Sequence, residues 1–574
     1  MPTRAALHHC SRRGQLSHRG PWLVATLLAA MLTAAAAAPA TRPTEPVVEF
    51  KVERADTLIG LSRDVLVTPD AWREVARLNR LPNANRVVPG QVLLIPARLM
   101  RARPVPAKLV SSNGDVRVGD APAVEGSTLS EGQTVQTGPG SSAVVELADG
   151  SRLRLPPSSL AQVIASQNLG ARPADAGSSS TANPDPARSG WFSGALRVLS
   201  GSVEIFAAKV LRARPLEVVT PTAVVGVRGT GFRVGFTEAA NGSTRVEVVE
   251  GQVRFDASAK PAGADVAAGF GSTTNAAGGP PRVVKLLDAP DLSGLPERFE
   301  RPIVRFALPG ETTALRVQVA ADAAFDKIVS DQRVEPGAEL RIAGLGDATW
   351  QLRSRRIDAQ GLEGFDANRS FVLKARPEPP AYLQPRSDSK QAVGSIAFSW
   401  APNIEASQVR IQVADDAAFT NPLQDREAPA DAALRIDIAK PGLYFWRLAS
   451  LRGNADAGPF GDVQRFELRP TPEAPTGGLA ADGRSMVFTW SARTQDRQQV
   501  QLARDPAFKE VTAEAELTAA EWTLPTPERS GRYFFRYRSI EPDGFVSPYS
   551  STLTIEVPRD WSGLWLLLPL LLVL

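Results

Sequence analysis

The side chains with the strongest chemistry are concentrated at the N-terminus. Cys10 and the three histidines, His8, His9 and His18, all lie within the first 40 of the 574 residues. The rest of the chain therefore cannot form a disulfide, a thiolate or imidazole zinc site, a Ser-His-Asp triad or a Cys-His dyad. Catalysis by paired carboxylates or by Ser-Lys stays chemically open, but no motif indicates it. We expect a chain without cofactor, bound metal or catalytic residues.

Two other motifs could bind ions, and each has a simpler structural explanation. The glycine-rich run 226–231 is not followed by Lys-Ser/Thr or by a helical pattern, so a tight turn or bulge is favoured over a phosphate loop. Asp322, Asp416 and Asp505 recur along the chain. Each is a single carboxylate, whereas Ca²⁺ takes about six to eight oxygen ligands. Local turn capping is the preferred interpretation.

Residues 1–40 have the layout of a secretory signal peptide. Four arginines and no acidic residue accompany an apolar run from Leu23 to Ala38, which ends in the small residues Ala38-Pro39-Ala40. An uncleaved anchor is disfavoured, because the run is alanine-rich and lacks charged flanks on its far side. We expect an exported protein of the periplasm or cell envelope.

Charge excludes a further class of function. The chain has 65 Lys plus Arg against 61 Asp plus Glu, and removing the four leader arginines leaves 61 against 61. Nucleic-acid binding rests on an excess of basic residues, which the mature chain lacks. The sequence predicts no nucleic-acid partner. Its length predicts three or four domains, a number that the segments described below raise to five.

Residues 46–97 are predicted to form a strand, two helices and a strand. Asp56 or Thr57 is placed to cap the first helix, and Thr68-Pro69-Asp70 begins the second. The turn Pro89-Gly90-Gln91 leads into an apolar strand that Pro96 ends. The unit resembles a LysM domain, a βααβ module that binds the N-acetylglucosamine backbone of peptidoglycan or chitin. The resemblance rests on Phe50-Lys51-Val52, Asp56-Thr57-Leu58, Leu78-Asn79 and the run from Pro89 to Pro96.

The resemblance implies a shallow glycan groove between two loops, Arg54 to Leu58 and Asn79 to Pro82. The implied glycan-binding residues are Asp56, Thr57, Leu58, Asn79, Arg80 and Leu81. Plain helix capping explains Asp56, Thr57 and Asn79 equally well. The family usually has glycine where this chain has Ala55, and a positive φ there would strain alanine.

Residues 108–256 alternate apolar and polar side chains in hairpins, which predicts antiparallel sheets. The region resembles the periplasmic FecR domain, apart from a Ser/Ala/Pro-rich insertion at 168–190 that we expect to be disordered. In iron-signalling systems such domains relay a signal from an outer-membrane receptor to a sigma factor. A signal peptide stands where their cytoplasmic segment would be, so we expect an envelope interaction module. The resemblance rests on Leu147-Ala148-Asp149-Gly150-Ser151, Thr220-Pro221, Val227-Arg228-Gly229-Thr230 and Val249-Glu250-Gly251-Gln252-Val253.

After a predicted linker at 257–282, a unit of about ninety residues occurs three times. Phe325, Phe419 and Phe508 mark its phase, with spacings of 94 and 89 residues. Short alternating strands with a core aromatic suit a β-sandwich of about seven strands. The units resemble fibronectin type III domains and are placed at 288–376, 380–470 and 474–557. Tryptophans within the strands are expected in the cores rather than on a sugar-stacking surface. The fold class is thus mainly β and multidomain, with immunoglobulin/fibronectin III-like sandwiches.

The C-terminal run 561–574 is nearly all apolar but shorter than the roughly 20 residues of a spanning helix. An interfacial, membrane-associated tail is favoured over a buried segment, since many exposed leucines would promote aggregation.

These modules predict a non-catalytic envelope protein that the LysM unit attaches to peptidoglycan, with the other domains contacting an envelope protein. The alternative is an envelope signalling or sensor component acting through the FecR-like region. A third hypothesis, a carboxylate-dependent glycan hydrolase, would require two acids facing each other across a cleft.

Overall fold

The computed structural model describes residues 45–559, except 172–190 and a few short gaps. The gaps are residues 211, 213, 228, 230, 239–241, 259–262, 278–279 and 454–455. The predicted signal peptide 1–40, the apolar tail 561–574 and most of the predicted insertion lie outside the described residues. Within the described ranges no helix has the length and apolar character needed to cross a membrane.

The N-terminal unit is a βααβ fold, as its pattern predicts. Strands β1 and β2 pair antiparallel, with Val47 opposite Pro96. A 3-10 helix, Ala97–Leu99, follows β2. The strands and helices enclose a core that includes Phe50, Val75 and Leu93. The elements are β1 (Val47–Lys51), α1 (Leu58–Asp64), α2 (Trp72–Leu78) and β2 (Val92–Pro96).

The next 18 strands form what we call the central β unit, in which hydrogen-bonded neighbours follow a path that closes on itself. Its strands are β3 (Ala102–Pro104), β4 (Ala107–Asn113), β5 (Val116–Val118), β6 (Ala121–Pro122), β7 (Thr128–Leu129), β8 (Thr134–Thr137), β9 (Ser142–Glu146), β10 (Arg152–Leu155), β11 (Leu160–Leu169), β12 (Trp191–Phe206), β13 (Leu216–Val219), β14 (Ala223–Val227), β15 (Gly231–Thr237), β16 (Ser243–Glu250), β17 (Gln252–Ala257), β18 (Gly263–Ala267), β19 (Phe270–Asn275) and β20 (Arg282–Lys285). The hairpins predicted around Asp149-Gly150 and between β15 and β16 are present.

The predicted linker at 257–282 is wrong for its described residues. Strand β18 pairs with β17, and β19 pairs with both β16 and β20. The segment is rich in Ala, Gly and Pro and offers little apolar surface, a composition that predicts an unfolded linker. Strand pairing needs only backbone groups, however, and small side chains such as Ser272 fit beneath a covering layer. The central β unit therefore extends beyond the predicted range 108–256 at both ends.

Three β-sandwiches follow. Sandwich 1 consists of β21 (Arg298–Phe299), β22 (Val304–Phe306), β23 (Ala314–Ala320), β24 (Ile328–Val334), β25 (Leu340–Ile342), β26 (Ala348–Ile357) and β27 (Ala367–Leu373). Sandwich 2 consists of β28 (Ala381–Gln384), β29 (Ser389–Ala392), β30 (Gly394–Ala401), β31 (Gln408–Ala414), β32 (Gln424–Pro429), β33 (Leu434–Ile438), β34 (Gly442–Arg452), β35 (Asp456–Phe460) and β36 (Gln464–Arg469). Sandwich 3 consists of β37 (Thr476–Leu479), β38 (Ser485–Thr489), β39 (Arg497–Ala503), β40 (Val511–Leu517), β41 (Glu521–Pro525), β42 (Gly531–Ile540) and β43 (Leu553–Val557).

Each sandwich has its own apolar core between two sheets. In sandwich 3 the sheet β37-β38-β41 packs against β40-β39-β42-β43. Trp400 and Trp446 are buried in the core of sandwich 2, and Trp490 in that of sandwich 3, as their alternating strands predict.

An aromatic hydrogen bond marks the same corner of all three sandwiches. Trp350 Nε1, Tyr444 Oη and Tyr533 Oη each donate to the carbonyl oxygen four residues earlier, at 3.0, 2.8 and 2.8 Å. This is the tyrosine-corner geometry of immunoglobulin-like sandwiches, with tryptophan replacing tyrosine in sandwich 1. It aligns Trp350 with Tyr444 and Tyr533.

The repeated aspartates cap turns, as predicted for single carboxylates. Asp322, Asp416 and Asp505 accept hydrogen bonds from backbone amides two to five residues later. The phenylalanines three residues beyond them have φ values of 58°, 56° and 54°. A tight turn thus holds each ring in place at the cost of a left-handed backbone.

Tyr444→Phe should lower the stability of sandwich 2 by about 1 kcal/mol, because it leaves the Lys440 carbonyl without its hydroxyl donor. Hydrogen exchange of the β34 amides would measure this loss. Tyr549→Phe is the matched control, since the Tyr549 hydroxyl has no hydrogen-bond partner among the described residues. Equal exchange in both variants would contradict the role given to the corner.

Candidate functional site

The first predicted glycan loop is held by its own polar side chains. Thr57 Oγ1 accepts a hydrogen bond from Gly60 N at 3.0 Å and so caps α1. Asp56 Oδ2 accepts one from Glu53 N at 2.7 Å and closes the preceding turn. Ala55 has φ 70°, the conformation for which glycine is favoured. This conformation costs alanine about 1 kcal/mol.

The second predicted loop is fixed mainly by Asn79. Its Nδ2 donates to Val75 O at 2.8 Å and to Leu94 O at 2.7 Å, while its Oδ1 accepts from Leu94 N at 2.7 Å. This side chain therefore joins the end of α2 to β2. Arg80 follows with φ 51° and an exposed side chain.

The six predicted glycan residues thus separate into three pairs. Leu58 and Leu81 pack with the apolar core of the βααβ unit, and Asp56 and Asn79 are engaged by backbone groups. Thr57 and Arg80 have exposed side chains. Any ligand at these loops would meet Arg80, the Thr57 hydroxyl and the surrounding backbone.

The βααβ unit also packs against the central β unit. The Phe50 and Trp191 ring centroids lie 5.8 Å apart, and Leu169 joins the same apolar core. Arg101 N donates to Val65 O at 2.7 Å, continuing the chain from one unit into the other. The residues on both sides of the undescribed stretch 172–190 therefore support the βααβ unit.

A second site, which sequence reasoning missed, lies between the central β unit and sandwich 1. Four residues of alternating charge stand opposite one another on neighbouring strands: Arg154 on β10, Glu204 on β12, Arg233 on β15 and Glu247 on β16. Cross-strand neighbours of opposite charge attract. All four are buried, because sandwich 1 covers this side of the sheet.

Glu204 is the centre of this contact. Its Oε1 accepts from Arg353 Nη2 at 2.9 Å and from Arg355 Nη2 at 2.6 Å, both of β26 in sandwich 1. Its Oε2 accepts from Arg154 Nη1 at 2.9 Å. One carboxylate of the central β unit is thus held by three guanidinium groups, two of them from the neighbouring domain.

Glu363 makes the reciprocal contact from sandwich 1. Its Oε1 accepts from Arg245 Nη2 at 2.9 Å and from Arg316 Nη1 at 2.7 Å, and its Oε2 accepts from Arg355 Nη1 at 2.8 Å. Its main-chain carbonyl accepts from Arg233 Nη2 at 3.2 Å.

We call the whole set the ionic interface. Seven guanidinium groups meet six carboxylates. The members are Arg152, Arg154, Arg233, Arg245, Arg316, Arg353, Arg355, Glu204, Glu247, Asp326, Asp331, Glu363 and Asp366.

Burial and charge set the protonation of the two central acids. Burial alone would raise the pKa of Glu204, but the charges of Arg355, Arg353 and Arg154 outweigh it and hold that pKa well below its ordinary value. Burial likewise opposes ionisation of Glu363, yet its surrounding arginines hold its pKa well below the ordinary value. Glu247 differs, because burial raises its pKa, Arg245 only partly opposes this and the charge of Glu363 adds to it.

Burial and neighbouring charges also have opposite effects on the pKa values of the arginines. Burial lowers the pKa of Arg353 to about 10 despite the opposing charge of Glu204. For Arg355, burial is outweighed by Glu204, Asp366 and Glu363, which raise its pKa well above the ordinary value. At neutral pH both guanidinium groups are therefore charged.

The strand pattern contained a signal for this site. Arg233, Arg245 and Glu247 alternate with apolar residues, which predicted a polar side of the sheet. Alternation does not tell whether a polar side meets water or another protein surface. The three arginines at 353, 355 and 356 within β26 were the clearest further indication that a charged surface binds acidic residues.

Comparison with known proteins supports part of this description. Residues 133–254 match the family model described as FecR protein, so the chain contains a FecR domain within the central β unit. A comparison with curated protein sequences finds no match.

Two crystal structures of a Parabacteroides distasonis ATCC 8503 protein described as a candidate anti-sigma factor are similar to the chain, with 16% identity and a TM-score of 0.19. The matched region covers 26% of this chain and 59% of that one. The crystal structure of chicken CNTN1 FN1–FN3 domains matches at 11% identity and a TM-score of 0.19, covering 45% of this chain and 90% of that one. Such scores do not establish a shared overall arrangement.

Glu204→Gln should destabilise the protein by about 3–5 kcal/mol, because it leaves buried guanidinium groups without their carboxylate. Glu247→Gln is the matched control. Glu247 is equally buried but is paired closely with only one guanidinium group, that of Arg245, so its loss should destabilise the protein less than the loss of Glu204. Urea unfolding midpoints would measure both, and equal losses would contradict the central role of Glu204.

Acid should weaken the ionic interface. The folded pKa values of Glu204 and Glu363 lie below the unfolded value of about 4.3, so their contribution is fully present above about pH 5 and is lost as pH falls further. Glu247 has the opposite effect on stability: because its pKa is raised, its contribution to the free energy of unfolding is present at low pH and is lost as pH rises. Unfolding free energies between about pH 7 and 3 should therefore fall more steeply for wild type than for Glu204→Gln. Parallel curves would contradict this assignment.

Proposed function

We propose that the chain is an exported, non-catalytic envelope protein whose βααβ unit binds the N-acetylglucosamine backbone of peptidoglycan. The observation that supports this most directly is the pair of loops in which Ala55 and Arg80 adopt left-handed conformations. Both loops stand on one apolar core and present Thr57, Arg80 and backbone to solvent. We infer the class of ligand, an N-acetylglucosamine-containing glycan, from the sequence resemblance to LysM domains.

Glycan recognition by such loops would rest on the backbone more than on charge. Sugar hydroxyl and N-acetyl groups accept and donate single hydrogen bonds, which free backbone amides near a helix start can match. The side chains of Asp56 and Asn79 would hold the loops in shape, and Arg80 would contact the ligand from the edge.

In the same proposal the FecR domain and the sandwiches provide protein contacts. The ionic interface fixes sandwich 1 to the FecR domain, so a partner of this region would meet the surface that sandwich 1 leaves uncovered. The apolar tail 561–574 would add a membrane contact.

Co-sedimentation of the full chain with purified peptidoglycan sacculi tests the proposal. Arg80→Gly should weaken binding several-fold, because it removes the exposed guanidinium while its φ of 51° suits glycine. Arg77→Ala, an exposed change on α2, should bind like wild type. A soluble N-acetylglucosamine tetramer should compete with the sacculi.

Two results would overturn glycan binding. One is a full chain that does not pellet with sacculi. The other is co-sedimentation that is equal with and without residues 46–97.

A second candidate function, envelope signalling, is favoured by the FecR domain match at 133–254. It requires a specific envelope protein partner that crosslinks to exposed positions of the central β unit, such as Arg254 on β17. Glu204→Gln should then change the yield of this crosslink, because it loosens the cover formed by sandwich 1. A crosslink yield independent of Glu204, together with sacculus binding, would favour the wall-binding function.

A further inference from the structure

Sandwich 3 repeats the arginine pair with which sandwich 1 holds Glu204. A constant offset of 183 residues relates the two sandwiches here: Arg353 corresponds to Arg536, and Arg355 to Arg538. The strand pairing confirms the correspondence. Gln318 stands opposite Arg353 just as Gln501 stands opposite Arg536.

An isolated β-bridge just after the arginine pair follows the same offset of 183 residues. Ile357 pairs with Glu363 in sandwich 1, and Ile540 pairs with Val546 in sandwich 3. The two arginine pairs therefore occupy the same place in the fold, on the outer side of the sheet.

The first arginine of each pair has the same surroundings. Arg353 Nε donates to Gln318 Oε1 at 3.0 Å, and its guanidinium lies 4.4 Å from the Phe325 ring centroid. Arg536 Nε donates to Gln501 Oε1 at 2.9 Å and lies 3.8 Å from the Phe508 ring centroid. An amide and an aromatic ring thus aim both guanidinium groups in the same way.

Two of the neighbouring acids are absent from sandwich 3, whereas Glu514 stands at the position of Asp331 and accepts a hydrogen bond from Gln501 Nε2 at 3.2 Å. Val546 and Tyr549 stand at the positions of Glu363 and Asp366. The Tyr549 ring packs against Arg536 at 3.8 Å and against Arg538 at 4.7 Å, while Arg538 Nε donates to Gln499 Oε1 at 2.6 Å. Among the described residues, neither guanidinium has a carboxylate within 4.0 Å.

Sandwich 2 shows that the pair is not a requirement of the fold. Arg447 there repeats the contacts of the first arginine, with Gln412 and Phe419, but Ala449 stands in the place of the second. The pair of convergent guanidinium groups therefore occurs in sandwich 1, where it binds a carboxylate, and again in sandwich 3.

We propose that Arg536 and Arg538 form a carboxylate-binding site for a glutamate or aspartate side chain on the β-sheet surface of a partner protein. Charge-assisted hydrogen bonds from two arginines to one carboxylate are the contact that Glu204 makes in sandwich 1. The flat ring of Tyr549 and the half-exposed Val546 surround the pair, so the acid that fits best has apolar neighbours.

A second copy of the central β unit fits less well. On the surface of the central β unit, Glu204 is accompanied by Arg233 and Arg245. In sandwich 1 the Glu363 carbonyl accepts from Arg233, and the Glu363 carboxylate accepts from Arg245. Sandwich 3 has Val546 at that position, so both arginines would lose these contacts. The site therefore favours an acidic surface without such neighbouring arginines, and a short peptide around Glu204 meets this condition.

Fluorescence anisotropy with a labelled peptide tests the site on the full chain. The probe is the acetylated and amidated peptide Gly-Ser-Val-Glu-Ile-Phe-Ala, the sequence of residues 201–207 around Glu204. Its glutamine analogue should bind at least about tenfold more weakly. Arg536→Gln combined with Arg538→Gln should cause a similar loss.

Two further variants locate the binding. Arg410→Gln, in sandwich 2, should leave the affinity unchanged. Val546→Glu should weaken binding while retaining both arginines, because it places a carboxylate where Glu363 stands in sandwich 1.

Three results would overturn the proposal. These are no binding of the probe, equal binding of the glutamate and glutamine peptides, or binding that survives loss of both arginines. Binding of an N-acetylmuramoyl peptide that depends on Arg536 and Arg538, without binding of the probe, would likewise overturn it in favour of the carboxylates of the peptidoglycan stem. None of these results depends on glycan binding by the βααβ unit.

Discussion

The buried carboxylate of Glu204 is the contact on which the arrangement of the central domains depends. Taking an ion out of water costs several kcal/mol, and the cost is offset only when charges and hydrogen bonds are nearly complete. Here the three guanidinium groups around Glu204 come from two domains. Neither domain alone supplies the full set, so the central β unit and sandwich 1 stabilise each other's charges.

This mutual dependence gives the FecR domain a defined orientation. The alternating charges of β10, β12, β15 and β16 would form an ordinary solvated surface if sandwich 1 were absent. Covered by sandwich 1, the same residues become a specific junction, because a mismatched surface would bury unpaired charges. The apolar packing of Trp191 and Leu169 on the βααβ unit adds a second junction, which is non-directional and rests on burial. Two kinds of contact therefore join the domains. Paired charges hold sandwich 1 on the central β unit in a specific way, and buried apolar area holds the βααβ unit on it.

Local patterns predicted much of the fold because local physics governs it. Helix caps, the Asp149-Gly150 turn and strand alternation depend on neighbours a few residues apart. The same patterns failed at 257–282, where strand pairing comes from backbone groups that small residues leave accessible. For the predicted glycan loops, the sequence located the turns correctly. It could not tell that Asn79, at the end of α2, would be held by Leu94 on β2.

The sequence by itself determined the order of the domains, the period of the sandwiches, the turn role of the repeated aspartates and the neutrality of the chain beyond residue 40. Only the tertiary structure decided which polar strand sides are covered. Alternation assigns residues such as Arg233 and Arg353 to the polar side of a sheet, but the cost of burying a charge depends on whether an opposite charge from a distant part of the chain meets it. That pairing, as between Glu204 and Arg355, is a property of two domains in contact and has no local sequence signature.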